Sequence, residues 1–200
     1  MCNLYRLDAP ADQIALNFAA EAGADPWAGG YVAPGKPGPV IVRNNKGLRC
    51  IVPRIWGVPP PAKAAAADGN RPARPVTNVR NLDSPFWIGT LRHPELRCLV
   101  PVTSFQEWSD RADPVTGRKT QHWFSIPTEP IFAFAGILRD SEVPSFAFLT
   151  TEPNSLVGAV HLKAMPAILA PEDQELWLTA DWAVARNLVG AYPSQFMEMA

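Results

Sequence analysis

Apolar residues in this chain come in short runs separated by proline, glycine and polar turn residues, a pattern that predicts many brief strands. Residues 1–7 read as a first strand. A helix is predicted from near Pro10 to about Glu21, with Ile14, Leu16 and Phe18 on its apolar surface and Gly23 as its stop. Pro39 to Arg43 and Leu48 to Val52 read as two strands joined by a turn over Asn44 to Gly47, a hairpin signal. Val58 to Pro75 is rich in proline and alanine and carries Lys63, Arg71 and Arg74, which predicts a long surface loop. Arg80 to Leu91 has room for a short helix around Ser84 to Trp87. Further apolar runs, typical of a buried sheet, cover Cys98 to Val102 with an extension to Trp108, Gln121 to Ile126, Ile131 to Leu138 and Ser145 to Thr151. Gly117 marks the turn between the first two. His161 to Ala170 reads as another extended stretch. Pro171 to Trp177 reads as a helix with proline and acids in its first turn, and Asp181 to Leu188 as a last helix. The expected fold class is α+β: a single domain over residues 1–200, with a mixed or antiparallel sheet or barrel-like β core flanked by a few helices.

Composition narrows the picture. The chain has 200 residues, enough for one domain with a substantial core. Hydrophobic residues make up 47% and charged residues 18%, which suits a rather apolar globular protein, and 22 prolines favour loops and short strands over a helical bundle. The formal net charge of −1 does not advertise nucleic acid in bulk, although a local basic cleft fits inside a neutral total. Cys2, Cys50 and Cys98 form an odd set without paired spacing, so neither a zinc site nor a disulfide framework is expected, and no metal or organic cofactor is called for. Arg6, Asp8 and Asp12 precede any apolar run, so no signal peptide is read, and no run approaches the ~18 apolar residues of a membrane span. A reduced, cytoplasmic protein is expected, a setting that suits a free catalytic thiol.

The chemistry starts at Cys2, directly after Met1. A small second residue lets methionine aminopeptidase trim Met1, which leaves an α-amine and a thiol on one residue. An aldehyde condenses with that amine to an imine, and the thiol closes a five-membered thiazolidine. The unperturbed amine titrates near ~8 and the thiol near ~8.5, so a modest environment activates either. The plainer use of Cys2 is as a small apolar residue opening the first strand. Glu107, bracketed by Phe105 and Trp108, is either a partly desolvated proton carrier or a strand-end carboxylate facing water. His161 follows an apolar stretch and is either a general acid or base or a satisfied core residue. His93, before a proline, and His122, in a strand, have no better context. Asn78 either donates a hydrogen bond to a reacting oxygen or serves a turn. No internal repeat and no glycine-rich phosphate loop is present.

Taken in order, these residues resemble the SOS response-associated peptidase (SRAP) family. Met1-Cys2-Asn3-Leu4-Tyr5 is similar to that family's Met-Cys-Gly-Arg-Phe opening, and Tyr31 to Pro34 to its Tyr-Asn-Ala-Pro. Trp56-Gly57 matches its Trp-Gly, and Asn78-Val79-Arg80 its Asn-Ala-Arg. Arg97 to Pro101 followed by Phe105 to Trp108 resembles its Arg-Cys-Leu-Ile-Pro with Phe-Tyr-Glu-Trp. Phe134 to Gly136 resembles Phe-Ala-Gly, and His161 with Met165-Pro166 resembles His-Asp-Arg-Met-Pro. The departures are Asn3 and Leu4 after the cysteine, Asn81 to Asp83 in place of a Glu-Thr pair, a histidine segment one residue longer with Lys163 in place of arginine, and Val58 to Pro61 in place of a second tryptophan.

The resemblance implies an enzyme that traps the aldehyde of abasic sites in single-stranded DNA as a Cys2 thiazolidine after loss of Met1, with possible autoproteolysis of that residue. It assigns Cys2 the amine and thiol, Glu107 the proton shuttle, His161 the opening of the sugar ring, and Asn78 the holding of the Cys2 end and the sugar. Arg80 would contact phosphate. Arg6 and Lys163 are the further cations expected on DNA, and Trp56 and the basic loop 63–74 the elements expected to stack on and steer a single strand. The implied partner is abasic single-stranded DNA and no membrane, bound by a monomer associated with the nucleoid. An N-terminal-nucleophile cysteine peptidase or amidohydrolase is the alternative enzyme. A binding module without chemistry is the third reading.

Overall fold

The computed structural model describes residues 2–60, 74–141 and 143–200. The predicted hairpin is present as β3 (Pro37–Arg43) and β4 (Arg49–Trp56), antiparallel from Pro37↔Ile55 to Arg43↔Arg49. Its turn uses Gly47 at φ 77°, a left-handed conformation that a side chain would strain. β3 also pairs with β6 (Arg97–Val102), β6 with β9 (Phe132–Asp140), and β9 with β10 (Pro144–Thr151), all antiparallel. β10 then returns to β4 in parallel, with Phe146 beside Trp56. Five strands therefore close on themselves into a barrel, and closure removes the free edges that a flat sheet would expose. The barrel carries three short additions: β5 (Asn78–Val79) parallel to β10, β11 (Met165–Pro166) on β10, and β12 (Ile168–Leu169) on β9.

The long apolar run from Cys98 to Trp108 is two strands rather than one. β6 ends at Val102 and β7 (Ser104–Trp108) leaves for a second sheet. Thr103 makes the corner: its N–H and its hydroxyl both donate to the Arg6 carbonyl, and its Oγ1 accepts from the Asp8 amide. The second sheet, entirely antiparallel, has the order β13 (Glu198–Met199), β8 (Gln121–Ser125), β7, β1 (Tyr5–Leu7), β2 (Gly30–Val32). Its inner side caps the barrel through aromatic contacts. Tyr5 lies 5.4 Å from Trp56 and 6.2 Å from Phe134, and Phe105 lies 5.3 Å from Phe124 and 5.7 Å from Phe134. Each such ring, fully buried, stabilises the fold by roughly 1.5–3 kcal/mol.

Helices are short and peripheral. α1 (Ala11–Asn17) buries Ile14 and Phe18, but Leu16 is 84% exposed and does not join its apolar face. The helix stops before Glu21 because the chain turns at Ala19 (φ 48°) and Glu21 then hydrogen-bonds beside β4, to Arg49 and Ile51. The helix expected near Ser84 begins later, as α2 (Ile88–Leu91), with Ser84 supplying the carbonyl that accepts from Trp87 and Ile88. His161 follows α3 (Ser155–Gly158), not a strand, and within the stretch read as extended the pairing is confined to β11, β12 and the Ala167 backbone between them, which bonds to Ala135 and Leu149. α4 (Gln174–Thr179) and α5 (Trp182–Ala185) complete the α+β architecture. Among the described residues, no helix is long and apolar enough to cross a membrane.

Candidate active site

Three elements converge on the amino-terminal segment. β5 lies parallel to β10, with Asn78 opposite Phe148, and this pairing aims the Asn78 amide at the start of the chain. Its Nδ2 donates to the Cys2 carbonyl at 3.2 Å and to Thr77 Oγ1 at 2.9 Å. Asn78 Oδ1 is buried and has no partner among the described residues. Cys2 itself is fully buried, and its thiol donates to the Leu4 carbonyl at 3.4 Å. Burial pushes the thiol up, the charge of Glu107 adds to that, and the backbone amides of Leu4 and Gln106 oppose it. The thiol therefore stays protonated at neutral pH.

Glu107 comes from β7, where alternation turns Phe105 and Glu107 inward while Trp108 faces out. It is 2% exposed, and burial pushes its carboxyl up to about 7, with the Asp110 charge as a further cause. His161 is presented by the turn that closes α3. Asn154 caps that helix by accepting the Val157 amide, and the His161 amide donates to the Val157 carbonyl at 2.8 Å. The ring Nδ1 lies 3.1 Å from the Trp108 carbonyl and Nε2 lies 3.5 Å from Glu107 Oε2. A carbonyl only accepts, so Nδ1 is assigned the hydrogen and the neutral ring turns its Nε2 lone pair to Glu107. Burial also holds the imidazole below its ordinary range. A carboxyl raised by burial thus lies beside an imidazole lowered by it, both favouring their neutral forms, an arrangement suited to passing a proton in either direction.

Asp110 belongs to this group and its sequence context does not reveal it. Its amide donates to the Val160 carbonyl at 2.8 Å, and its Oδ2 accepts the Leu162 amide at 2.7 Å. It thus grips the residues on either side of His161, while its Oδ1 lies 3.5 Å from Nδ1. The bond from Leu162 holds its carboxyl below the usual range. In a Ser-Asp-Arg loop such a residue reads as a solvated acid, because the partner segment is distant in the chain.

The expected DNA contacts fare differently. Trp56 is fully buried and offers no face to a nucleotide, which corrects the expectation that it stacks on DNA. It stacks 5.1 Å from Phe148, and its Nε1 donates to the Thr77 carbonyl at 3.0 Å, fixing the residue before Asn78. Burial wins here because Trp56 ends a barrel strand on its inward side. Arg80 is exposed but braced: Nη1 donates to the carbonyls of Thr151 (3.0 Å) and Lys163 (2.9 Å), and the guanidinium pairs with Glu152. Lys163 is exposed. Arg6 pairs with Asp8 and lies 5.4 Å from the Tyr31 ring centroid. Of the basic loop, residues 61–73 lie outside the described residues. Among the described residues, no group of three or more His, Cys, Asp or Glu is placed to hold a metal ion.

Comparisons with known proteins bear on the fold and the family. The protein is 32% identical over 111 residues to the abasic site processing protein YoqW of Bacillus subtilis (strain 168), and equally to that of Bacillus phage SPbeta. Those matches cover 51% of this chain and 48% of the relatives, so the chain spans about half the length of the curated relatives it matches. A crystal structure of a protein from Bacteroides thetaiotaomicron superposes with a TM-score of 0.79 over 99% of this chain and 90% of that one, at 24% identity. One from Bordetella bronchiseptica gives 0.76 over 100% and 98%, at 19% identity. Both show the same fold. The description SOS response associated peptidase (SRAP) matches residues 1–200, and the chain belongs to that family.

Proposed function

We propose that this protein processes abasic sites in single-stranded DNA by covalent capture, with Cys2 at the mature amino terminus. The observation that carries the reading is Cys2 with its carbonyl held by Asn78 and its thiol within reach of the Glu107 charge, beside the Glu107–His161 pair. An abasic deoxyribose is in equilibrium with an open-chain aldehyde. The His161–Glu107 pair would take the proton from the C1′ hydroxyl and return one to the ring oxygen, which opens the sugar. The α-amine, free once Met1 is gone, adds to the aldehyde carbon. Protonated Glu107 then hands a proton to the departing hydroxyl, and one water leaves as the imine forms. The Cys2 sulfur adds to the imine carbon, its proton passes to nitrogen through Glu107, and the thiazolidine closes. No other atoms are lost, and no oxidant or metal enters the balance.

Two features support amine-first capture over the cysteine peptidase alternative. Burial holds the thiol above its ordinary range, which disfavours a thiolate attacking an amide, whereas addition to a protonated imine tolerates a weaker nucleophile. Asn78 holds the backbone carbonyl of Cys2 rather than its sulfur, which suits anchoring of a terminal residue whose nitrogen reacts. Asn78 Oδ1, buried and without a partner among the described residues, supports a role as acceptor for a proton on the substrate or on that nitrogen.

The test is incubation of the protein, shown by intact mass to begin at Cys2, with an abasic oligonucleotide. A band shifted on a denaturing gel is expected, with a mass equal to protein plus DNA minus one water. Cys2→Ala should remove it. A free oligonucleotide with the correctly processed wild-type protein would end the proposal.

A further inference from the structure

With Trp56 in the core, the stacking partners of a single strand must be found elsewhere, and among the described residues two of the three exposed aromatics, Tyr31 and Trp108, belong to the second sheet. On the second sheet, Tyr5, Leu7, Val32, Phe105 and Phe124 face the barrel and are buried. Alternation therefore turns Arg6, Tyr31, Ser104, Gln106, Trp108 and Trp123 to the other face, where Gln106 is buried and Trp123 half-buried. Tyr31 is 58% exposed and Trp108 37%. The rings of Tyr31 and Trp123 meet at 5.7 Å with a 58° tilt, and the Arg6 guanidinium lies over Tyr31. Trp123 is the register partner of Gln106, two residues along β7 from Trp108. Trp108 in turn lends its carbonyl to His161. The outward rings thus run from the lip of the candidate active site to Arg6.

We propose that this outer face is a docking surface for single-stranded DNA flanking the lesion, with Tyr31 and Trp123 as a stacking platform and Arg6 as the cation for phosphate. For the DNA itself the inference rests on the proposed function. Three considerations favour this occupant. The platform is continuous with the site through Trp108. Aromatic faces on a sheet accept any base, but only an unpaired one whose π-face is free, which excludes duplex. Arg6 lies at one end of this row of residues, and the loop between β7 and β8, which leaves from the Trp108 end, carries the exposed Arg118 and Lys119. Asp8 offsets part of the Arg6 charge, so stacking, more than attraction to phosphate, sets the affinity.

The experiment separates this surface from the covalent chemistry. Binding of a labelled, undamaged oligothymidine of about 15 nucleotides is followed by fluorescence anisotropy. The Tyr31→Ala/Trp123→Ala variant should bind about tenfold or more weakly, and Tyr31→Phe/Trp123→Phe, which keeps both rings, within about threefold of wild type. Arg6→Gln should lower the salt slope by about one. With an abasic oligonucleotide, the alanine variant should need more DNA for half-saturation yet reach the wild-type crosslinking rate at saturation. Unchanged affinity of the alanine variant for the undamaged strand, or equal binding of the matching duplex, overturns the inference and leaves the proposed function intact. Ring-dependent binding without any crosslink would instead retain the surface and remove the covalent reading.

Discussion

Burial acts in opposite directions on Glu107 and His161, raising a carboxyl and lowering an imidazole, so both groups favour their neutral forms. The folded carboxyl titrates above its unfolded value. Its contribution therefore favours the fold below about pH 4.5 and is lost as pH rises through about 7. Glu107→Gln removes that penalty. It should be more stable than wild type by about 1–3 kcal/mol at pH 8 and close to it at pH 4, read from urea unfolding at both values. Crosslinking by the same variant should slow without loss of DNA binding. Asp110→Asn keeps an acceptor for Leu162 but removes the negative charge beside Nδ1. The imidazolium is then less favoured, so the His161 titration followed by NMR should move to lower pH, where a purely structural role predicts no movement. Cys2, Asn78, Glu107 and His161 were legible as a group from residue type and order. Asp110 and the burial of Trp56 were not. Both depend on which distant segment folds against them, and a single chain read residue by residue does not carry that.

Among the elements, legibility followed the range of the interactions. The β3–β4 hairpin is closed by a local turn and was readable with its glycine. The split of one apolar run into β6 and β7 was not, because the corner at Thr103 is made by Arg6 and Asp8, far away in the chain. The end of α1 was misplaced for the same reason: Glu21 bonds to the edge of β4. β9 shows how tightly the barrel is filled. A Cβ on Gly136 would meet Cys98 Sγ and Val100 Cγ2 at 2.7 Å each, and the Trp177 indole already donates to the Gly136 carbonyl at 3.2 Å. Gly136→Ala should therefore destabilise by about 1–3 kcal/mol through overpacking, seen as a lower urea midpoint with an unchanged m-value.

At the scale of the whole molecule, a buried cation fastens the helices to the barrel. Arg97 of β6 is 1% exposed; Nε donates to the Leu91 carbonyl at 3.1 Å and Nη1 to the Trp177 carbonyl at 2.8 Å. Its guanidinium also lies 5.5 Å from the Trp177 ring and 5.9 Å from that of Trp182. Arg97→Ala would leave two carbonyls without donors and a void under both rings. A loss of about 3 kcal/mol is expected, measured as a lower Tm, with the crosslinking rate per folded molecule retained. The three cysteines, finally, sit at different depths. Cys50 is half-buried, whereas Cys2 and Cys98 are sealed from solvent. Peroxide and thiol-alkylating agents in the bulk will find Cys50 first, and Cys2 shares with Cys98 a shelter from casual oxidation.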